Sequence, residues 1–74
     1  MKFKVGDVVV VRKPQDRHEH PVWTKEMDEY NGKEGVVKTV KERDWGQLIC
    51  LDFPDYWLFS NKWCTLVDDF YGNV

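Results

Sequence analysis

The sequence predicts a mainly β (all-β) fold: a small five-stranded barrel with a long loop and a short helical turn after its first strand. Three observations predict it. Five short runs of β-branched and aromatic residues lie along the chain. Gly, Pro, Asn and Asp punctuate the gaps between them. Four Trp, three Tyr and four Phe in 74 residues supply the apolar bulk that a chain this short otherwise lacks. A domain of this size buries only about 60% of the surface that its unfolded chain exposes, and each packed aromatic adds about 150–250 Å².

The first strand is Val8-Val9-Val10-Val11, bounded by Gly6-Asp7 and by Lys13-Pro14. Pro14 cannot donate to a ladder, so the strand stops or becomes an edge there. Residues 14–22 are polar, lie between two prolines and read as a long loop. The rhythm then changes. Trp23, Met27 and Tyr30 stand at i, i+4 and i+7, which is one helical face, and Thr24 reads as the N-cap. Acidic side chains crowd the first turn, where the helix dipole favours them, and Asn31-Gly32 ends the helical segment. The spacing predicts one or two turns.

Strand and turn follow to the end. Residues 35–41 read as a strand, 42–46 as a hairpin turn in which Gly46 supplies positive φ, and 47–53 as a hydrophobic strand. Pro54-Asp55 turns the chain into a strand over 56–60. Residues 61–63 read as a tight connection of about one 3₁₀ turn. A short last strand covers 64–67. A single domain over 1–68 and a flexible tail over 69–74 are expected. Five strands in an open meander leave exposed edges, and closure into a barrel removes them. A long loop after strand one, three hairpin-linked strands and a tight turn into a short last strand is the plan of SH3-like barrels.

Charge and composition exclude several functions. The formal net charge is −2, which is not the basic balance of a protein held on phosphates. The charge is uneven: residues 1–25 carry six basic and three acidic side chains (+3), and residues 26–74 carry five and ten (−5). No apolar run approaches about 18 residues, so no membrane span is expected. Residues 1–7 lead straight into the first strand, so no signal peptide is expected. Cys50 and Cys64 make no disulfide framework. They read as apolar fillers in a reducing compartment, so the cytoplasm is expected.

The segment from Trp23 to Val67 carries a pattern: Trp23, Met27, Gly32, Gly35 and Val37, a hairpin ending at Gly46, Leu48, then Trp57-x-Phe59 and a last strand with Cys64 and Leu66. This resembles the SH3-like repeat of the Mind bomb group of ubiquitin ligases. Val5-Gly6-Asp7-Val8 resembles the Gly-Asp-x-Val opening of many SH3-like barrels. The resemblance implies the fold and a peptide-recognition role. A lone module is expected, since these 74 residues hold no RING domain, ankyrin repeats or second copy, and ligase activity is not expected to carry over. Such a module also suits a bacterial or bacteriophage accessory protein.

No catalytic constellation emerges, and an enzyme is not expected. Asp52 and Asp55 flank Pro54 and read as turn residues; Asp68-Asp69 read as solubilising. His18-Glu19-His20 could present two imidazoles to a metal, but a structural zinc needs four ligands, and Cys50 and Cys64 lack knuckle spacing. A nucleophilic Cys50 would sit in the most hydrophobic strand, where a thiolate is disfavoured. No cofactor is expected, and no glycine-rich phosphate loop is present.

The aromatics carry the functional reading. Eleven exceed what so small a barrel can bury, so some should face a partner. Trp57 and Phe59 alternate toward the core, which turns Tyr56 and Leu58 outward. The expected contact set is Trp23, Glu26, Tyr30, Trp45, Tyr56 and Trp63, around a groove between the 14–31 loop and the 43–46 tip. Packing of Trp23, Met27 and Tyr30 into a second small core is the competing reading. The expected function is recognition of a protein or peptide by a monomer or weak homodimer. The alternative is an RNA-binding barrel of KOW or Tudor type, with Lys38, Lys41 and Arg43 on phosphates and a base stacked on Trp45.

Overall fold

The computed structural model describes residues 2–15 and 22–72. Five antiparallel strands form one sheet in the order β4-β3-β2-β1-β5: β1 is Val8–Val11, β2 Glu34–Arg43, β3 Gly46–Leu51, β4 Leu58–Ser60 and β5 Cys64–Leu66. The mainly β fold class therefore stands. β2 spans both halves of the sheet. Its start pairs with β1 (Val9 opposite Gly35), and the rest pairs with β3 (Val40 opposite Ile49). The register slips between Val37 and Thr39, so Lys38 is the extra residue of a bulge, and a bulge bends its strand. Gly35 accommodates the crossing: a Cβ there would sit 3.0 Å from the Phe53 ring.

Barrel closure is not shown. β4 and β5 are the two edges of the sheet and do not pair with each other. A 3₁₀ turn, Asn61–Trp63, carries the chain between them. Ser60 caps this turn by accepting from the Lys62 N–H at 3.1 Å.

The helical segment is 3₁₀, Lys25–Tyr30, rather than α. Its i→i+3 bonds run from Met27 N to Thr24 O at 3.0 Å and from Asn31 N to Asp28 O at 3.1 Å. Thr24 holds the N-cap position without a side-chain cap bond; instead its N–H donates to Met27 Sδ at 3.3 Å. Gly32, at φ +85°, ends the segment as expected. The last strand ends at Leu66, and an α-helical turn, α1 (Val67–Phe70), runs from its end into the residues expected as tail. Arg12 lies over the Phe70 ring at 5.6 Å, and the Tyr71 hydroxyl donates to Glu34 at 3.0 Å.

The core is aromatic, with Phe59 at its centre. Its ring meets Phe53 at 5.8 Å, Trp23 at 6.1 Å, Tyr30 at 6.3 Å and Trp63 at 6.4 Å. Val9, Val11, Val37, Ile49 and Leu51 pack around it. Such tilted and edge-on pairs add to simple burial, by about 0.5–1.5 kcal/mol each.

Candidate functional site

Burial divides the expected contact residues. Trp23, Tyr30 and Trp63 are 2%, 3% and 4% exposed, so all three belong to the core. Trp23, Met27 and Tyr30 join the main core around Phe59 and form no second small core among the described residues. Trp23 and Trp63 pack edge to face at 5.2 Å. The Trp23 indole donates to Asp28 at 2.6 Å, and the other Asp28 oxygen lies 3.5 Å from the Lys13 ammonium. The polar edge of Trp23 thus pins the 3₁₀ segment to the end of β1.

Tyr30 stacks on Phe53 at 4.3 Å, and its hydroxyl donates to Asp55 at 2.7 Å. That bond to Asp55, with burial second, pushes the phenol up to about 12. Residues 16–21 of the expected groove lie outside the described residues. The 3₁₀ segment packs on the 52–57 turn, whereas the 43–46 tip meets the 61–63 turn, where Asn61 Oδ1 accepts from Gln47 N at 2.9 Å. Trp45 and Tyr30 are placed at different ends of the 34–43 strand.

Glu26, Trp45 and Tyr56 remain at the surface. Tyr56 is 90% exposed and Trp45 38%. Leu58, two residues past Tyr56 and on the edge strand, is 40% exposed. Its cross-strand partner is Cys50, half-buried, and Leu48 lies beside it on the same face of β3. This outer face of β2–β3–β4 was missed by reasoning on aromatics alone. A signal for it existed: Leu48 and Cys50 alternate with Ile49 and Leu51, so β3 is apolar on both faces, the pattern of a strand covered on both.

The remaining candidates are accounted for locally. Asp52 accepts from the Val36 N–H at 2.9 Å, and Asp55 holds Tyr30; both do turn and packing work. Cys50 and Cys64 are free thiols, and burial pushes Cys64 up to about 12. His18-Glu19-His20 lies outside the described residues. Among the described residues no group of three or more His, Cys, Asp and Glu could hold a metal. An open depression of about 440 Å³ lies between Gly6–Val8 and Leu66–Asp68. No described helix is long and apolar enough to cross a membrane.

The fold and its surface define a small mainly β domain with Tyr56 and Leu58 exposed before and on one sheet edge, Trp45 at a hairpin tip and Tyr71 after the last helical turn. No known protein family, curated protein or solved structure matches the chain.

Proposed function

We propose that this protein is a non-catalytic binding module that recognises a protein or peptide through exposed apolar side chains of its sheet, as a small accessory or regulatory protein. One observation carries the reading: Leu58 stands exposed on the edge strand opposite half-buried Cys50, and Tyr56, two residues before it, is exposed as well. Large apolar side chains clustered at a surface are costly to leave in water and mark contact sites. Tyr is also among the residues that dominate binding energy. The free thiols fit a reducing compartment, and a cytoplasmic location belongs to the proposal.

The test is capture of a partner from native lysate by the immobilised chain, identification by mass spectrometry, and titration of that purified partner into the ¹⁵N-labelled protein. Signals of Trp45, Tyr56 and Leu58 should move, and Tyr56→Ala should weaken binding about tenfold or more. Binding that leaves those signals unmoved sinks the reading.

RNA binding is the second reading, supported by Lys38, Lys41 and Arg43, all exposed on the strand that leads to Trp45. A gel shift with single-stranded RNA at low salt decides it, since phosphate contacts are strongest there. Absence of a shifted band rejects it.

A further inference from the structure

The register of the sheet sorts its outer face into columns. Directly opposed residues share a face, so Thr39, Cys50 and Leu58 form one row and Lys41 and Leu48 another. Arg43 continues the β2 column toward the tip, and Lys38 bulges from the same strand. Where β2 pairs with β3, the outer strand positions Thr39, Lys41, Arg43, Leu48, Cys50 and Leu58 include no acidic residue, in a chain of net charge −2. Glu34 lies at the other end of β2, where the strand pairs with β1, and accepts from the Tyr71 hydroxyl. Glu42 falls on the opposite side, where it accepts from Gln47 at 2.9 Å and pairs with Lys2 at 3.6 Å. The ion pairs among the described residues, Lys2–Glu42 and Lys13–Asp28, engage neither Lys38 nor Lys41.

The face thus combines unneutralised cations with an apolar strip that is only half covered. From this complementarity we infer that the outer face of β2–β3–β4 docks an acidic protein segment carrying apolar side chains, with Lys41 and Arg43 meeting its carboxylates and Leu48, Cys50, Leu58 and Tyr56 its apolar groups. The inference rests on the binding-module reading and adds the chemistry of the partner. Two features favour a peptide over a nucleic acid. The strip between the cations and the edge is aliphatic and thiol, not aromatic, so it offers no stacking platform between Arg43 and Leu58. The edge strand β4 also leaves one side unpaired, where an extended segment can add main-chain hydrogen bonds.

The experiment titrates three probes into the ¹⁵N-labelled full chain: a peptide alternating Glu with Leu and Phe, the same peptide with Lys in place of Glu, and a single-stranded oligouridylate. The Glu peptide should shift Thr39, Lys41, Leu48, Cys50 and Leu58, and weaken as salt rises. Lys41→Glu with Arg43→Glu should lower its affinity about tenfold or more and raise that of the Lys peptide. Should the reversal perturb the dispersed spectrum, Lys41→Gln with Arg43→Gln gives the loss without reversal. Equal response to both peptides, or shifts confined to other faces, overturns the inference. So does an oligouridylate that moves this face while the Glu peptide does not. A captured partner that moves Trp45 and Tyr56 but no outer-face signal on β2 and β3 overturns the docking site and leaves the binding-module reading standing.

Discussion

The side-chain amide of Gln47 pairs with both backbone groups of Phe3, accepting its N–H at 2.8 Å and donating to its carbonyl at 3.1 Å. The pairing does the work of a strand ladder for a segment that is not a strand. It seals Phe3 into the core, and Lys2 then reaches Glu42. Gln47→Leu keeps the volume but leaves a buried N–H and a buried C=O unpaired, at about 1–3 kcal/mol each. The expected loss is about 2–4 kcal/mol, read from urea unfolding at constant m. A loss below about 0.5 kcal/mol would show that the N-terminal segment does not depend on this pairing.

Core and surface aromatics should separate cleanly. Trp23→Ala removes a buried ring and its bond to Asp28. It should cost about 3–5 kcal/mol, a large part of the stability of so small a domain. Tyr56→Ala, at a fully solvated position, should change stability by no more than about 0.5 kcal/mol. Thermal unfolding of both variants in parallel checks the division.

Gly46 takes φ +148°, a region open essentially to glycine alone, and a Cβ there would collide with Asn61 Oδ1. Gly46→Ala therefore strains the hairpin and displaces the acceptor of the Gln47 N–H. The expected cost is about 2–3 kcal/mol. Gly32→Ala also meets a positive φ but only open space, and should cost about 1–2 kcal/mol. Denaturant midpoints of the two variants should rank in that order.

Alkaline pH should destabilise the fold through two groups. Tyr30 rises from 10.0 to about 12, chiefly through its bond to Asp55, and Cys64 rises from 9.0 to about 12 through burial. Both are raised in the folded state, so their contribution is complete below the unfolded values and is lost as pH climbs toward about 12. Tyr30→Phe removes one of the two. The gap in urea midpoint between wild type and Tyr30→Phe should therefore shrink between pH 8 and pH 11. A gap that widens contradicts the assignment.

Thiol alkylation should discriminate between the cysteines. Cys50 is half-buried on the outer face of the sheet, and Cys64 is buried with a thiol held protonated. Iodoacetamide at pH 8 should modify Cys50 first, with Cys64 reacting only as the chain unfolds. Peptide mapping after short exposure reads the order.

Much of the fold was legible in local pattern. Val8–Val11 announced β1, the i, i+4, i+7 spacing of Trp23, Met27 and Tyr30 announced one buried face, and Gly46 announced the hairpin. The candidate site was legible only in part. Counting aromatics found Tyr56 and Trp45, but it also gathered Trp23, Tyr30 and Trp63, which the Phe59 cluster absorbs. A ring reads the same in a sequence whether it is bound for solvent or for the core.

Backbone geometry fixes the period of a strand or helical turn, so the sequence by itself determined where strands run, which side chains alternate outward and where the chain turns. Pairings over long separations depend on which surfaces meet after folding. Only the tertiary structure could decide that Gln47 holds Phe3 across 44 residues, that the 3₁₀ segment packs on the 52–57 turn rather than the hairpin tip, and that β4 and β5 stay apart as edges. It also decided that the cations of β2 stand beside the bare strip of Leu48, Cys50 and Leu58, because register alone brings three separate strands to one face.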